Sequence, residues 1–156
     1  MLESSAITAS DIMSRAPVTA TPETPLRVVI RQMLEGGFSG MPVVDEAGRA
    51  IGMITEGDLI RWTEEQAPRA RWWLDMLAEG NDLADEFKRA LKDQHASVRA
   101  VMTKDIVGVS PETPARDIAK MLSTHHIKRV PVLQDGKPVG MITRRDLIRA
   151  LLETMK

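Results

Sequence analysis

Gly52-Met53-Ile54-Thr55-Glu56-Gly57-Asp58-Leu59-Ile60-Arg61 and Gly140-Met141-Ile142-Thr143-Arg144-Arg145-Asp146-Leu147-Ile148-Arg149 are identical at every position except the two inside Thr-x-x-Asp. Such agreement marks an internal duplication, and a duplication has to be recognised before any other feature of a chain is read. Each stretch reads as a buried strand that runs into a helix, with Thr at the helix start and Asp in the first turn. A helix start exposes unpaired N–H groups and partial positive charge, so it can receive an anion. The chain presents that element twice.

Working outward, the match continues at a constant offset of 89. Asp11-Ile12-Met13-Ser14 and the strand candidate Pro17-Val18-Thr19-Ala20 correspond to Ala100-Val101-Met102-Thr103 and Ile106-Val107-Gly108-Val109. Pro22-Glu23-Thr24-Pro25 corresponds to Pro111-Glu112-Thr113-Pro114, where Thr as N-cap and Pro at the first helical position predict a helix start. Leu26, Val29, Ile30, Met33 and Leu34 then share one helical face, as do Ala115, Ile118, Ala119 and Leu122. Gly36-Gly37 ends the first helix, and the second fades near His125-His126. Met41-Pro42-Val43-Val44 and Val130-Pro131-Val132-Leu133 are the next strands. The turn Asp45 to Arg49 is one residue longer than Gln134 to Lys137, a change that a hairpin tolerates without disturbing its strands. The final helix sets Leu147, Ile148, Leu151, Leu152 and Met155 on one face.

The expected fold class is therefore α/β (α+β): two β-α-β-β-α repeats, 8–61 and 99–156, packed about a pseudo-twofold axis. A repeat of roughly 50 residues buries too little apolar surface to stand alone. Residues 62–98 form a helical insertion belonging to neither repeat, with Trp62, Trp72, Trp73, Leu74, Met76 and Leu77 in one apolar segment. Leu83, Ala84, Phe87 and Leu91 mark a second helix after Gly80-Asn81. Packing against the repeats or a twin subunit explains this aromatic cluster better than base stacking does. Arg69 and Arg71 lie beside the tryptophans, but the segment is net acidic, against a phosphate backbone.

The chain has 156 residues, of which 43% are hydrophobic and 28% charged, the balance of a soluble globular protein. With no cysteine there is neither a disulfide framework nor a thiolate metal site. No apolar run reaches membrane-spanning length, and Met1 to Ser10 lacks the features of a signal peptide, which points to a cytoplasmic protein. The overall charge of −1 divides into −3 for 1–61, −3 for 62–98 and +5 for 99–156. The basic last third could attract a phosphorylated ligand or an acidic partner, or it could dock on the acidic remainder of the chain.

The ordered pattern resembles the cystathionine beta-synthase (CBS) domain. Its elements are Met-(Ser/Thr) before a short strand, Pro-x-Thr-Pro opening a helix, apolar-Pro-Val, and Gly-Met-Ile-Thr-x-x-Asp-Leu. Two copies resemble the tandem pair called a Bateman module, of the free-standing bacterial type. The resemblance implies a regulatory, non-catalytic module that binds adenosine-containing ligands between repeats: AMP, ADP or ATP, with NAD and S-adenosylmethionine as further candidates. It implies ribose or phosphate contacts at Thr55, Asp58, Thr143 and Asp146, and an adenine wall at Val18, Met41, Val107 and Val130. Basic residues before apolar-Pro-Val face phosphates in this family, which implicates Lys128 and Arg129, flanked by His125 and His126; the first repeat has Ser39-Gly40 there. Arg144 and Arg145 stand where the first repeat has Glu56 and Gly57, so the two sites are expected to be unequal. If phosphate contacts cross between repeats, Arg129 would serve Asp58 and Arg144 would serve Asp146.

Thr-x-x-Asp has a plainer reading as a helix cap alone, with Thr accepting a backbone N–H and Asp favoured by the helix dipole. The histidines lack a further ligand at metal spacing and are read as surface or phosphate-proximal groups. No nucleophile–base pair, Gly-rich phosphate loop or carboxylate pair is present in the sequence, so an enzyme is not expected and no cofactor is required. The expected partners are an adenine nucleotide, a second copy in a homodimer and an effector protein, with no membrane. The alternatives are a ligand-silent dimerisation scaffold and, more weakly, nucleic-acid binding through the basic repeat.

Overall fold

The computed structural model describes residues 6–66 and 96–156, and these form two compact units. One unit is built from the described residues of Thr19–Val43 and Gly52–Lys104. The other is built from those of Met1–Val18, Val44–Ile51 and Asp105–Lys156. The expected helical features at Trp72, Trp73, Leu74, Met76, Leu77, Leu83, Ala84, Phe87 and Leu91 lie outside the described residues, as do Arg69 and Arg71. In chain order the elements are α1 (Ala9–Ile12), β1 (Ser14–Arg15), α2 (Leu26–Gly36), β2 (Gly40–Val44), β3 (Ala50–Thr55) and α3 (Glu56–Gln66). After the undescribed stretch come α4 (Val98–Val101), α5 (Ala115–Thr124), β4 (Arg129–Gln134), β5 (Lys137–Thr143) and α6 (Arg144–Thr154).

In the unit that contains Asp146, β1, β5 and β4 form a three-stranded antiparallel sheet in that order. Val130 faces Ile142 and Pro131 faces Met141, with a register shift between Val132 and Leu133. Val130, Pro131 and Val132 are all buried, as a continuous apolar run in a strand covered on both faces requires. The β4–β5 turn is Asp135-Gly136, both with positive φ (54° and 78°), which matches the right-handed twist of a two-residue hairpin. Ala9, Val109, Ile118, Leu122, Val130, Val132 and Ile142 make the core. In the unit that contains Asp58, β2 pairs with β3, and Leu26, Val29, Met33, Met41, Val43, Met53, Ile54, Trp62 and Val98 are buried.

The compact units are drawn across the duplication. Thr103 in the second repeat bridges Met53 in the first, through N–H···O bonds of 2.9 and 2.8 Å. In the same unit Val98 and Arg99 donate backbone N–H groups to the Thr24 and Pro22 carbonyls. In the other unit Ala9 and Ser10 donate to the Thr113 and Pro111 carbonyls, and Ser14 faces Met141. Each unit thus takes its leading helical turn and first strand residue from the other repeat.

Three local expectations change. Pro25 and Pro114 occupy the N-cap itself, with φ −62° and ψ 141°, because that ψ keeps a proline outside the helix. Thr24 and Thr113 instead accept the N–H groups of Thr21 and Ser110 in the preceding turns, at 2.9 and 3.0 Å. The strands expected at 17–20 and 106–109 are reduced to single parallel bridges, Ala20 to Val43 and Val109 to Val132. Pro17 cannot donate to a ladder. On α2, Leu34 is 79% exposed, so the inner face narrows to Leu26, Val29 and Met33. Ala119 of α5 is likewise exposed, while Ile118 and Leu122 are buried. The expected stop at Gly37 holds, with φ 68° in the left-handed region that glycine enters without penalty.

Ile118→Ala should therefore cost about 2–5 kcal/mol in urea unfolding, whereas Leu34→Ala should stay within about 0.5 kcal/mol. Similar losses from both would contradict this assignment of inner faces.

Candidate functional site

Thr55 ends β3 and Thr143 ends β5, and in both places the chain turns at once into a helix. The two resulting arrangements are nearly superimposable in chemistry. Asp58 Oδ2 accepts the Thr55 backbone N–H at 2.9 Å and the Thr55 hydroxyl at 3.1 Å, and the Asp58 N–H donates back to that hydroxyl at 3.2 Å. Asp146 Oδ2 accepts from the Thr143 N–H at 2.8 Å and its hydroxyl at 3.1 Å, with the return bond at 3.4 Å. The reciprocal bonds form a capping box in which Asp reaches back to the cap.

The chain contains its own control for the view that this is capping and nothing more. Thr8-Ala9-Ser10-Asp11 makes the same box, with bonds of 2.9 and 3.1 Å to Asp11 Oδ2. The Thr8 backbone N–H, and after it the Thr8 hydroxyl, holds the Asp11 carboxyl below its ordinary pKa. Asp11 nevertheless lies exposed to solvent, whereas Asp58 and Asp146 are only 4% and 7% exposed. Capping does not require burial. Something besides the cap keeps these two carboxylates inside.

Their second oxygens carry further partners. Asp58 Oδ1 accepts from Arg61 Nη2 and, at 3.0 Å, from the Thr103 hydroxyl. Asp146 Oδ1 accepts from Arg149 Nη1 at 3.2 Å. Both arginines are about two-thirds exposed (65% and 67%), so each pair has one buried and one solvated end. Solvent screens the exposed guanidinium, which weakens each pair relative to one buried at both ends. Asp58 also opens on a cavity of about 200 Å³, lined in addition by Arg61, Trp62, Ala100, Val101 and Thr103.

The remaining sequence candidates fall into distinct places. Lys128, Arg144 and Arg145 are exposed, Arg129 is half-buried, and all belong to the unit that holds Asp146. Arg129 sits opposite Thr143 in the β4–β5 register, and the Lys128 carbonyl accepts the Arg144 N–H at 3.2 Å. These cations therefore gather round the start of α6. Around Asp58 the matching positions are Ser39, Gly40, Glu56 and Gly57, where the Ser39 carbonyl accepts the Glu56 N–H at 2.9 Å. Of the expected adenine wall, Met41 and Val130 are fully buried core residues, Val107 is half-buried and Val18 is 43% exposed. His125 caps α5 and His126 follows it at φ 53°, both exposed. Among the described residues no group of three His, Cys, Asp or Glu side chains is placed to hold a metal ion.

Sequence reasoning passed over Arg61, Arg149 and Thr103. The arginines were legible, since both quoted stretches end in Arg three residues after Asp, a spacing that brings side chains together on a helix. Thr103 was not, because it meets Asp58 only through pairing with a distant strand.

Comparison with known proteins agrees with this fold. The family model described as the CBS domain matches residues 9–65 and 98–153. An uncharacterised protein of Methanocaldococcus jannaschii is 31% identical over 154 residues, covering 91% of this chain and 89% of its own length. The chain spans far less of other curated relatives, 41% of a second M. jannaschii protein and 23% of its inosine-5'-monophosphate dehydrogenase. Among solved structures, the CBS domain of a CBS domain containing membrane protein from Sphaerobacter thermophilus superimposes with TM-score 0.70. It is 32% identical, covering 93% of this chain and 88% of that one. CBSX2, a CBS-pair protein of Arabidopsis thaliana, was solved in complex with AMP; it gives TM-score 0.71 at 23% identity, over 96% and 98% of the two chains. At that identity the likeness shows the fold.

The capping box makes a direct prediction. Thr143→Ala should lower stability by about 1 kcal/mol, and Thr143→Ser should recover most of the loss, since serine keeps the hydroxyl. Equal melting temperatures for the alanine and serine variants would show that the hydroxyl does not hold Asp146.

Proposed function

Since the chain belongs to the CBS-domain family, with both repeats matched, we propose that it is a non-catalytic regulatory module whose ligand is an adenosine nucleotide. The observation that carries this reading is Asp146, a buried carboxylate whose Oδ2 is fixed by the cap and whose Oδ1, among the described residues, is held by one exposed arginine. A carboxylate oxygen so presented can accept the two hydroxyls of a ribose, because an ionised carboxyl offers about four acceptor directions and the cap uses two. The start of α6 and the cations Lys128, Arg129, Arg144 and Arg145 favour a phosphate close by. Asp58 supplies the second, less basic position. AMP, ADP and ATP fit this charge pattern, with NAD and S-adenosylmethionine as further candidates. Support comes from relatives solved with AMP, and with methylthioadenosine and S-adenosylmethionine.

Regulation follows only if the ligand has different affinity for two arrangements of the protein. The output then passes to a partner. A homodimer and an effector protein belong to this reading because α6 leaves Ile148, Leu151 and Leu152, and its C-cap Met155, from 56 to 75% exposed. A run of large apolar side chains of this kind marks an interaction surface. A cytoplasmic setting fits a nucleotide sensor, and no helix of the described residues is long and apolar enough to cross a membrane.

Calorimetric titration should show AMP binding that falls at least about tenfold in Asp146→Asn. The double substitution Arg144→Gln, Arg145→Gln should weaken AMP while sparing adenosine. If AMP, ADP, ATP, NAD and S-adenosylmethionine all fail to bind, the nucleotide reading is wrong and the scaffold reading takes its place. Leu151→Glu with Leu152→Glu should reduce the mass measured by light scattering to that of one chain; an unchanged mass would remove α6 from any self-association.

A further inference from the structure

The two buried carboxylates differ in how many protein donors already occupy the oxygen left over from the cap. Asp58 Oδ1 accepts from two, Arg61 and the Thr103 hydroxyl. Among the described residues Asp146 Oδ1 accepts from one, Arg149. The difference traces to a single pair of corresponding positions. Thr103 is fixed by its double backbone bridge to Met53, and Ser14, its counterpart at offset 89, is fixed by the same antiparallel register to Met141. Yet no hydrogen bond joins the Ser14 hydroxyl to Asp146. The β-branch restricts the threonine to fewer χ1 rotamers, whereas serine is free to turn its hydroxyl away.

Resting on the reading of Asp58 and Asp146 as adenosine positions, we propose that Thr103 is a specificity-determining residue that closes Asp58 to a vicinal diol, so that Asp146 fills first. With two donors on Oδ2 and two on Oδ1, all four acceptor directions of Asp58 are in use. A diol arriving there displaces both Arg61 and Thr103. At Asp146 it displaces Arg149 and meets one lone-pair direction that no donor among the described residues fills. Displaced groups regain water, so the exchange is close to balanced except for the one extra bond to an ionised carboxylate. That bond amounts to about tenfold in affinity. The order does not depend on phosphate, although the cations around Asp146 reinforce it for a nucleotide.

Adenosine, which carries no phosphate, is the probe. It is titrated calorimetrically into Asp146→Asn, which leaves only the Asp58 position, and into Asp58→Asn, which leaves only the Asp146 position, each with and without Thr103→Val. Asparagine keeps a side-chain oxygen for the cap, and valine keeps the β-branched shape of Thr103. The expected result is binding about tenfold weaker in Asp146→Asn than in Asp58→Asn. Thr103→Val should recover that factor in the first protein and leave the second unchanged. As a reciprocal variant that leaves the Asp58 surroundings intact, Ser14→Thr in the Asp58→Asn protein should weaken adenosine several-fold. Equal affinities in the two Asn proteins, or no gain from Thr103→Val in Asp146→Asn, would overturn the proposed order while leaving the adenosine reading standing. A wild-type protein that binds no adenosine would overturn the proposed order, and the adenosine reading with it where AMP, ADP, ATP, NAD and S-adenosylmethionine also fail to bind.

Discussion

A carboxylate taken out of water costs several kcal/mol unless its lone pairs are met by donors. In this protein a threonine meets two of them from the same helical turn, with its backbone N–H and its hydroxyl both directed at one oxygen. The cap therefore does two things at once. It starts the helix that follows each hairpin, and it fixes one carboxylate oxygen of an aspartate so that the other has a set place. The exposed Thr8–Asp11 box shows the same bonds on a helix of four residues without burial, so the cap is the common frame and the burial is what distinguishes the other two.

Duplication supplied two such frames, and substitution then made them unequal. The changes are few. Glu56-Gly57 stands against Arg144-Arg145, Ser39-Gly40 against Lys128-Arg129, and Thr103 against Ser14. None of these alters the strand–cap–helix geometry, because each lies outside the bonds that define it. All of them alter the charge or hydrogen bonding next to the cap. A fold that keeps its frame on one set of residues and its selectivity on another can diversify its two positions without losing stability.

Much of this was legible in the sequence because the signals are local. The offset of 89, the one-residue difference between the hairpin turns and the Thr-x-x-Asp boxes are all short-range features. The β4–β5 turn followed from Asp135-Gly136, and the end of α2 followed from Gly37. What escaped was set by pairing between residues far apart in the chain. Thr103 reaches Asp58 only because the leading segment of one repeat completes a unit with the other, and no periodicity announces such an exchange. Placing the N-cap at Thr24 failed for a smaller reason: the ψ of Pro25 puts the proline outside the helix, and Thr24 serves the turn before it. The periodicity gathered Ile148, Leu151 and Leu152 of α6 with its C-cap Met155, but periodicity cannot tell a face that is covered within the chain from one left exposed.

On the proposed reading, Oδ2 of the buried aspartate belongs to the protein and Oδ1 to the ligand. A crystal structure of the protein with bound adenosine tests it at the level of single atoms. The expected result is ribose hydroxyls on Asp146 Oδ1, with the Arg149 guanidinium displaced and the Thr143 N–H still bonded to Oδ2. Adenosine bound elsewhere, or a ribose that breaks the Thr143 cap to reach Oδ2, would contradict it.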